Sequence, residues 1–246
     1  MFIGIGSRIG QIQNAVSGGV AARSIYPPVI ASNISLYAPT AYNFPATYRT
    51  AGEGKNGSGG GVLTATLSPA PASGVLLIAT HIENTGVTVA APSTGTGAVW
   101  TEISTGTTSR VWYKVCNGTE PTSYTVTYSG ASKSDAGAFS VIEIKGNNAT
   151  PIDTNRGLAT GTNIGPSITT QFDAELVLSI FTTELNTAVA STPTGWTEVQ
   201  RVTAFNLNGA AGVCIASLQK GAKGATGTAT WTGGTGTKLF TLGVKT

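Results

Sequence analysis

The chain has 246 residues, of which 40% are hydrophobic and only 10% are charged, with a formal net charge of +3 at pH 7. This length is sufficient for one large β domain or two small ones. The Lys and Arg residues are scattered instead of clustered, which argues against nucleic-acid binding. The longest apolar runs are too short to span a membrane.

Residues 1–50 are predicted to form an extended N-terminal anchoring arm. Ile9 and Ile12 lie on one face of a short amphipathic helix predicted near its start. Prolines in residues 25–50 favour an extended chain, and aromatic rings on such a chain favour contact with another protein surface. The predicted contact residues of this kind are Tyr26, Tyr37, Tyr42, Phe44 and Tyr48. The alternative is that the arm packs on its own C-terminal domain.

Residues 51–61 are rich in glycine and are predicted to be a flexible linker. The segment superficially resembles a phosphate-binding loop. However, Lys55 is followed by Asn56, where such a loop has Ser or Thr. No phosphate site is predicted, and the folded domain is expected to begin at residue 62.

From residue 62 onward the chain alternates strands and turns, and the pattern occurs twice, about 100 residues apart. The pattern of residues 75–79 recurs at residues 175–179, and the segment Trp100-Thr-Glu recurs as Trp196-Thr-Glu. The strands alternate apolar and polar residues, as is typical of strands that bury one face. This pattern indicates sheets packed face to face.

We therefore predict an all-β fold, a jelly-roll-like two-sheet sandwich over residues 62–246. It is built of two pseudo-repeated halves, residues 62–146 and 157–246, and is preceded by the extended arm. The junction between the halves is short, which favours one sandwich over two tandem domains. The tandem arrangement stays open as the alternative.

No enzyme, cofactor or metal site is predicted. His81 is the only histidine and lies on an apolar strand, a pattern typical of a buried structural residue. No two carboxylates are brought together at a spacing that a glycosidase would use. The His, Cys and Asp residues are too few and too scattered for zinc or calcium. Cys116 and Cys214 are interpreted as buried thiols, with a disulfide between them as the alternative.

Trp100 and Trp196 occupy equivalent places in the two halves, each at the start of a predicted strand. Core packing is the favoured interpretation of both rings. The alternative is that they contact a glycan, because flat apolar ring faces suit the C–H surface of a sugar.

Motifs along about residues 62–205 resemble β-sandwich proteins encoded by tailed bacteriophages. The motifs that carry this likeness are LLIA at 76–79, WTE at 100–102, WYK at 112–114, EPTSYTVTYSG at 120–130, AFSV at 138–141, PIDT at 151–154 and PSITT at 166–170. The opening MFIGIGSRIG is similar to the short Gly/Ile starts of small phage virion proteins.

The resemblance implies a virion surface component, either a head decoration or fibre protein or a tail-associated receptor-binding protein. It implies location in the virion after synthesis in the host cytoplasm, other virion proteins as partners, and host-surface glycan as a candidate ligand. A homo-oligomer is expected, with a trimer as the specific prediction. The alternative function is a stand-alone carbohydrate-binding module, and a polysaccharide depolymerase is a weaker third option.

Overall fold

The computed structural model describes residues 48–56, 61–83, 88–104, 108–129, 136–184, 191–206, 209–232 and 236–246. The first half contains β1 (Tyr48–Asn56), β2 (Gly61–Thr66), β3 (Leu76–Glu83), β4 (Thr88–Val89), β5 (Thr101–Ser104), β6 (Ser109–Val115), β7 (Ser123–Ser129) and β8 (Ala136–Ile144). The second half contains β9 (Ile152–Thr162), β10 (Ile164–Gly165), β11 (Thr169–Thr170), β12 (Glu175–Thr183), β13 (Thr197–Asn206), β14 (Gly209–Lys220), β15 (Gly224–Ala225), β16 (Ala229–Thr230) and β17 (Gly236–Val244). The predicted all-β, sandwich-like class is confirmed. In these ranges no helix is long and apolar enough to cross a membrane.

Two five-stranded antiparallel sheets dominate the fold. The first main sheet has the strand order β1-β8-β3-β6-β5, and the second has the order β13-β14-β12-β17-β9. From its other edge, the second order is β9-β17-β12-β14-β13, which is the first order with each strand replaced by its counterpart in the other half. The duplication in the sequence therefore corresponds to a duplication of strand order.

The strand registers repeat as well. Ala79 of β3 lies opposite Val141 of β8, and Ser179 of β12 lies opposite Thr241 of β17. Each Trp-Thr-Glu segment is followed by a register shift, between Glu102 and Ser104 in β5 and between Glu198 and Gln200 in β13. These paired features assign β1 and β9 to the same place in the two halves.

The N-terminal boundary of the domain differs from the prediction. All nine residues of β1 pair with β8, so residues 51–56 are strand and the predicted linker is wrong there. The glycines serve close packing: a Cβ on Gly52 would lie 2.4 Å from Val202, and one on Gly54 would lie 2.4 Å from the Thr203 carbonyl oxygen. The described part of the domain begins at Tyr48, so residues 48–50 of the predicted arm are also strand, and the arm is taken below as residues 1–47. The arm and residues 57–60 lie outside the described residues.

The main sheets pack face to face around a shared hydrophobic core. β8 and β12 are buried along their whole length because both of their faces are covered. The sheet β2-β7-β4 covers the outer face of the first main sheet over a core that includes Leu63, Trp112 and Tyr124. A smaller cluster with Phe181 and Trp231 lies on the outer face of the second main sheet. The sandwich thus has outer layers in addition to the two main sheets.

Strand direction defines two ends of the domain. We call the end where β1 begins, at Tyr48 opposite Ile144, the proximal end. The end where β1 finishes, at Asn56 opposite Ala136, is the distal end. Both main sheets share these ends, because Ser109 Oγ and Thr182 Oγ1 form a 3.0 Å hydrogen bond between them at the distal side. Tyr48, the first residue of β1, therefore lies at the proximal end.

Candidate ligand-binding cleft

The predicted anchoring residues are divided by the domain boundary. The ones in the arm lie outside the described residues, namely Ile9, Ile12, Tyr26, Tyr37, Tyr42 and Phe44. Tyr48 is the first residue of β1, is half-buried and packs against the shared core. Burial raises the pKa of its hydroxyl. Tyr48 therefore belongs to the folded domain.

Trp100 is part of the core and is not a sugar platform. Only 7% of the residue is exposed, its ring meets Tyr124 edge to face at 5.8 Å, and Lys114 Nζ lies 4.7 Å from the ring centroid. The candidate glycan contact at Trp100 is wrong for this reason. Trp196 is half-buried against the Phe181 cluster, so the two tryptophans serve separate cores.

A buried ion pair explains the position of Trp100. Lys114 and Glu120 pair with both side chains fully buried. Glu120 Oε1 also accepts the Ala98 amide at 2.9 Å, and Lys114 Nζ donates to the Ala98 carbonyl at 3.3 Å. The pair fastens the segment before β5 to the loop after β6. A Cβ on Gly97 would clash with the Glu120 carboxylate, at 2.2 Å from Oε2, so glycine is required there.

The nucleophilic and basic side chains are sealed in the core. His81 is fully buried, and burial together with Arg110 lowers its pKa to about 3. Cys116 and Cys214 are both free and buried, and burial raises the pKa of each to about 12. They belong to different hydrophobic clusters, and the disulfide alternative is excluded. Within the described ranges, no group of three His, Cys, Asp or Glu residues could hold a metal ion.

Two carboxylates do come together, contrary to the sequence-based expectation. The backbone nitrogen of Gln171 lies 3.2 Å from both Asp153 Oδ2 and Glu175 Oε1, and the backbone N–H of Phe172 donates to Glu175 Oε1 at 2.9 Å. Burial and the neighbouring Asp153 raise the pKa of Glu175. Asp153 is 2% exposed and Glu175 is 0% exposed, so a polysaccharide cannot reach them as it would a glycosidase pair.

Replacement of Glu175 by Gln is expected to change how stability depends on pH. The pKa of Glu175 is higher in the folded state than in the unfolded chain. Its carboxyl group therefore contributes most to the free energy of unfolding below the ordinary pKa of 4.5, and this contribution is lost as the pH rises through the folded-state pKa. Gln cannot ionise and can donate to Asp153, so E175Q is expected to be about 1–3 kcal/mol more stable than the parent chain at pH 8. Urea unfolding between pH 4 and pH 8 measures the difference.

The control for this comparison is Glu198→Gln, which removes an exposed carboxylate whose pKa is lowered by Arg201. Its effect is expected to stay below about 1 kcal/mol and to have the opposite sign. An E175Q protein that is less stable than the parent chain at pH 8 would contradict the account in which burial and Asp153 disfavour the charged form of Glu175.

The main sheets meet differently at their two edges. At the closed edge β1 packs directly on β13, as the close approach at Gly52 and Gly54 requires. The repeat places their counterparts, β9 and β5, at the other edge. There Leu158, opposite Phe240, takes the place of Gly52. The Leu158 side chain prevents the close packing that glycine allows at the closed edge. A cleft of about 540 Å³ therefore lies between β5, β9 and β17.

The cleft combines apolar walls with a charged rim. Its apolar lining includes Ile103, Phe240 and Leu242, and Leu158 is 52% exposed at its mouth. The polar lining residues are Glu102, Ser104, Arg156 and Thr241. This volume lies within the range of small-ligand sites, in which a few polar groups orient a ligand against apolar walls.

Charged residues continue from the rim toward the distal end. Glu102 pairs with Arg110 at 3.6 Å. Lys238 precedes Phe240 on β17, and its pKa is lowered by burial and by Arg110. No signal in the sequence pointed to this cleft, because it arises from a difference between β1 and β9 that is visible only once both strands are identified.

Comparisons of this chain with protein-family models, with curated proteins and with solved structures found no match.

Proposed function

We propose that this chain is a non-enzymatic structural component of a bacteriophage virion. Residues 1–47 anchor it to the particle, and the β-sandwich is exposed for decoration or host-surface attachment. Its partners are other capsid or tail proteins, and it assembles as a homo-oligomer, with a trimer as the specific proposal. The resemblance of its motifs to phage β-sandwich proteins is the basis of this assignment.

The observation that supports it most is how β1, which follows residues 1–47 in the sequence, is held in the domain. Arg49 fixes this strand by donating to the buried Glu143 carboxylate, with Nε 3.0 Å from Oε1. Arg49 also donates to the Pro69 carbonyl at 2.7 Å. An anchor at the proximal end would hold the domain by a main-sheet strand and leave the distal end pointing away from the particle.

Deletion of residues 1–47 is expected to abolish incorporation into particles while the domain stays folded. The deletion ends before β1, so the strand and the Arg49–Glu143 pair are kept. Particles purified from cells that express only the truncated chain are analysed by immunoblotting, with circular dichroism of the isolated chain as the folding control. Incorporation of residues 48–246 at the level of the full chain would overturn the anchoring role.

The cleft favours one second function, a stand-alone carbohydrate-binding module. That function requires residues 48–246 to bind a glycan as a monomer and requires no association of the full chain with particles. The particle assay above therefore separates the two functions.

A further inference from the structure

Arg156 stands where two hollows meet at the open edge of the sandwich. It lines the 540 Å³ cleft on one side of β9 and a second hollow of about 220 Å³ on the other. Arg156 is exposed, and in the described part of the chain no carboxylate lies within ion-pair distance of it. Among those residues its guanidinium is thus a cation without an acidic partner, beside two hollows that it helps to line.

The side chains around Arg156 are neutral hydrogen-bonding groups and one exposed apolar group. Ser167 and Thr169 line the second hollow, together with Asn155, whose Nδ2 donates to the Thr169 carbonyl at 2.8 Å and so fixes the amide. On the cleft side, Leu158 offers an exposed apolar surface next to Arg156. Hydroxyl and amide groups suit the hydroxyls of a sugar, and the planar guanidinium suits a carboxylate in bidentate geometry.

We infer that the surface around Arg156 binds a carboxylate-bearing saccharide, such as one containing a uronic or sialic acid. The arginine takes the carboxylate and Leu158 meets the apolar face of that sugar on the cleft side, while the polar groups of the second hollow take hydroxyls of a neighbouring sugar on the other side of β9. Addition of a partner's β-strand is disfavoured, because a charged residue on an edge strand and the register shift between Leu242 and Val244 both discourage strand pairing.

This inference rests on the proposed attachment function for its biological setting, since it assigns a chemical class to the host-surface glycan. The two proposals are overturned by different experimental results. Binding is measured on the isolated full chain, without particles, so loss of glycan binding and loss of anchoring are separate results.

The test is a titration of the full chain with uronic-acid and sialic-acid oligosaccharides and with the same oligosaccharides after reduction of the carboxyl group. The variants are Arg156→Gln and the matched control Arg201→Gln, which changes an exposed arginine on β13 at the closed edge. At least one acidic oligosaccharide is expected to bind. R156Q is expected to weaken that binding about tenfold or more, and R201Q less than about twofold.

Carboxyl reduction is expected to weaken binding to the parent chain by a similar factor and to have little further effect on R156Q. Three results would overturn the inference. The first is no binding of any acidic oligosaccharide by the full chain, and the second is equal binding of the acidic and reduced forms. The third is equal loss in R156Q and R201Q. Unchanged thermal midpoints confirm that both variants are folded.

Discussion

A chain of residues 48–246 is expected to unfold cooperatively within a few degrees of the full chain, whereas a chain of residues 57–246 is expected to show no cooperative transition. The two differ only by β1. That strand supplies nine residues of pairing to β8 at the edge of the first main sheet. It also packs on β13 through Gly52 and Gly54, so its loss exposes the shared core on both sides.

Loss of β1 also removes the partner of a buried charge. Glu143 is fully buried and is held mainly by Arg49, with Lys145 at 3.6 Å as its other cation. Leaving a buried carboxylate without its main partner costs about 3–5 kcal/mol, a large fraction of the roughly 5–15 kcal/mol that stabilises a typical domain. Thermal denaturation followed by circular dichroism distinguishes the two truncations. Equal midpoints for both would show that β1 is dispensable.

The second large effect is expected for Lys114→Met. Methionine keeps the apolar stem but removes the ammonium that pairs with Glu120, and both side chains are fully buried. We expect a loss of about 3–5 kcal/mol in the free energy of unfolding, because the Glu120 carboxylate is then an uncompensated buried charge. The contacts of Trp100 and the Ala98 loop depend on the same pair, so near-ultraviolet circular dichroism is expected to change as well.

The double variant K114M/E120Q distinguishes lost charge pairing from lost packing. The amide that replaces the Glu120 carboxylate would still accept the Ala98 amide hydrogen and would carry no charge, so most of the stability is expected to return. The matched control is Arg110→Gln, which breaks the partly exposed pair with Glu102 and is expected to cost about 1 kcal/mol or less. Urea unfolding measures all three variants. A K114M loss no larger than that of R110Q would contradict the buried-pair account.

The central strands of both main sheets could be predicted because their own side chains are largely apolar, as is typical of buried strands. Residues 75–79 are all apolar, and residues 176–178 are the apolar part of the matching segment. They lie in or beside β3 and β12, the central strands of the two main sheets. The repeated Trp-Thr-Glu segments likewise mark equivalent strands with equivalent register shifts.

Two of the edge strands, β1 and β9, were missed for one physical reason. β1 and β9 are counterparts, and both contain Gly and Thr where a central strand has Val, Leu or Ile. Their pairing comes from backbone hydrogen bonds to β8 and β17, which do not depend on side-chain type. The glycines of β1 resembled a linker, although they allow β13 to approach.

The candidate site was beyond prediction for a related reason. The cleft exists because Leu158 replaces the counterpart of Gly52, and this comparison needs the register of both edge strands. The carboxylates of Asp153 and Glu175 are brought together by the backbone N–H of Gln171, which contacts both of them. Gln171 lies between them in sequence, but the turn before β12 determines its position. Sequence spacing alone predicts neither the cleft nor the buried carboxylate pair.

The measurement that tests the central claim most directly is the ratio of residues 48–246 to the full chain in particles made by cells that express both. Quantitative mass spectrometry compares this ratio in purified particles with the ratio in the cell lysate, where both chains are folded. If residues 1–47 are the anchor, the truncated chain is nearly absent from the particles while the full chain is present. A ratio in particles equal to the ratio in the lysate would contradict the anchoring account.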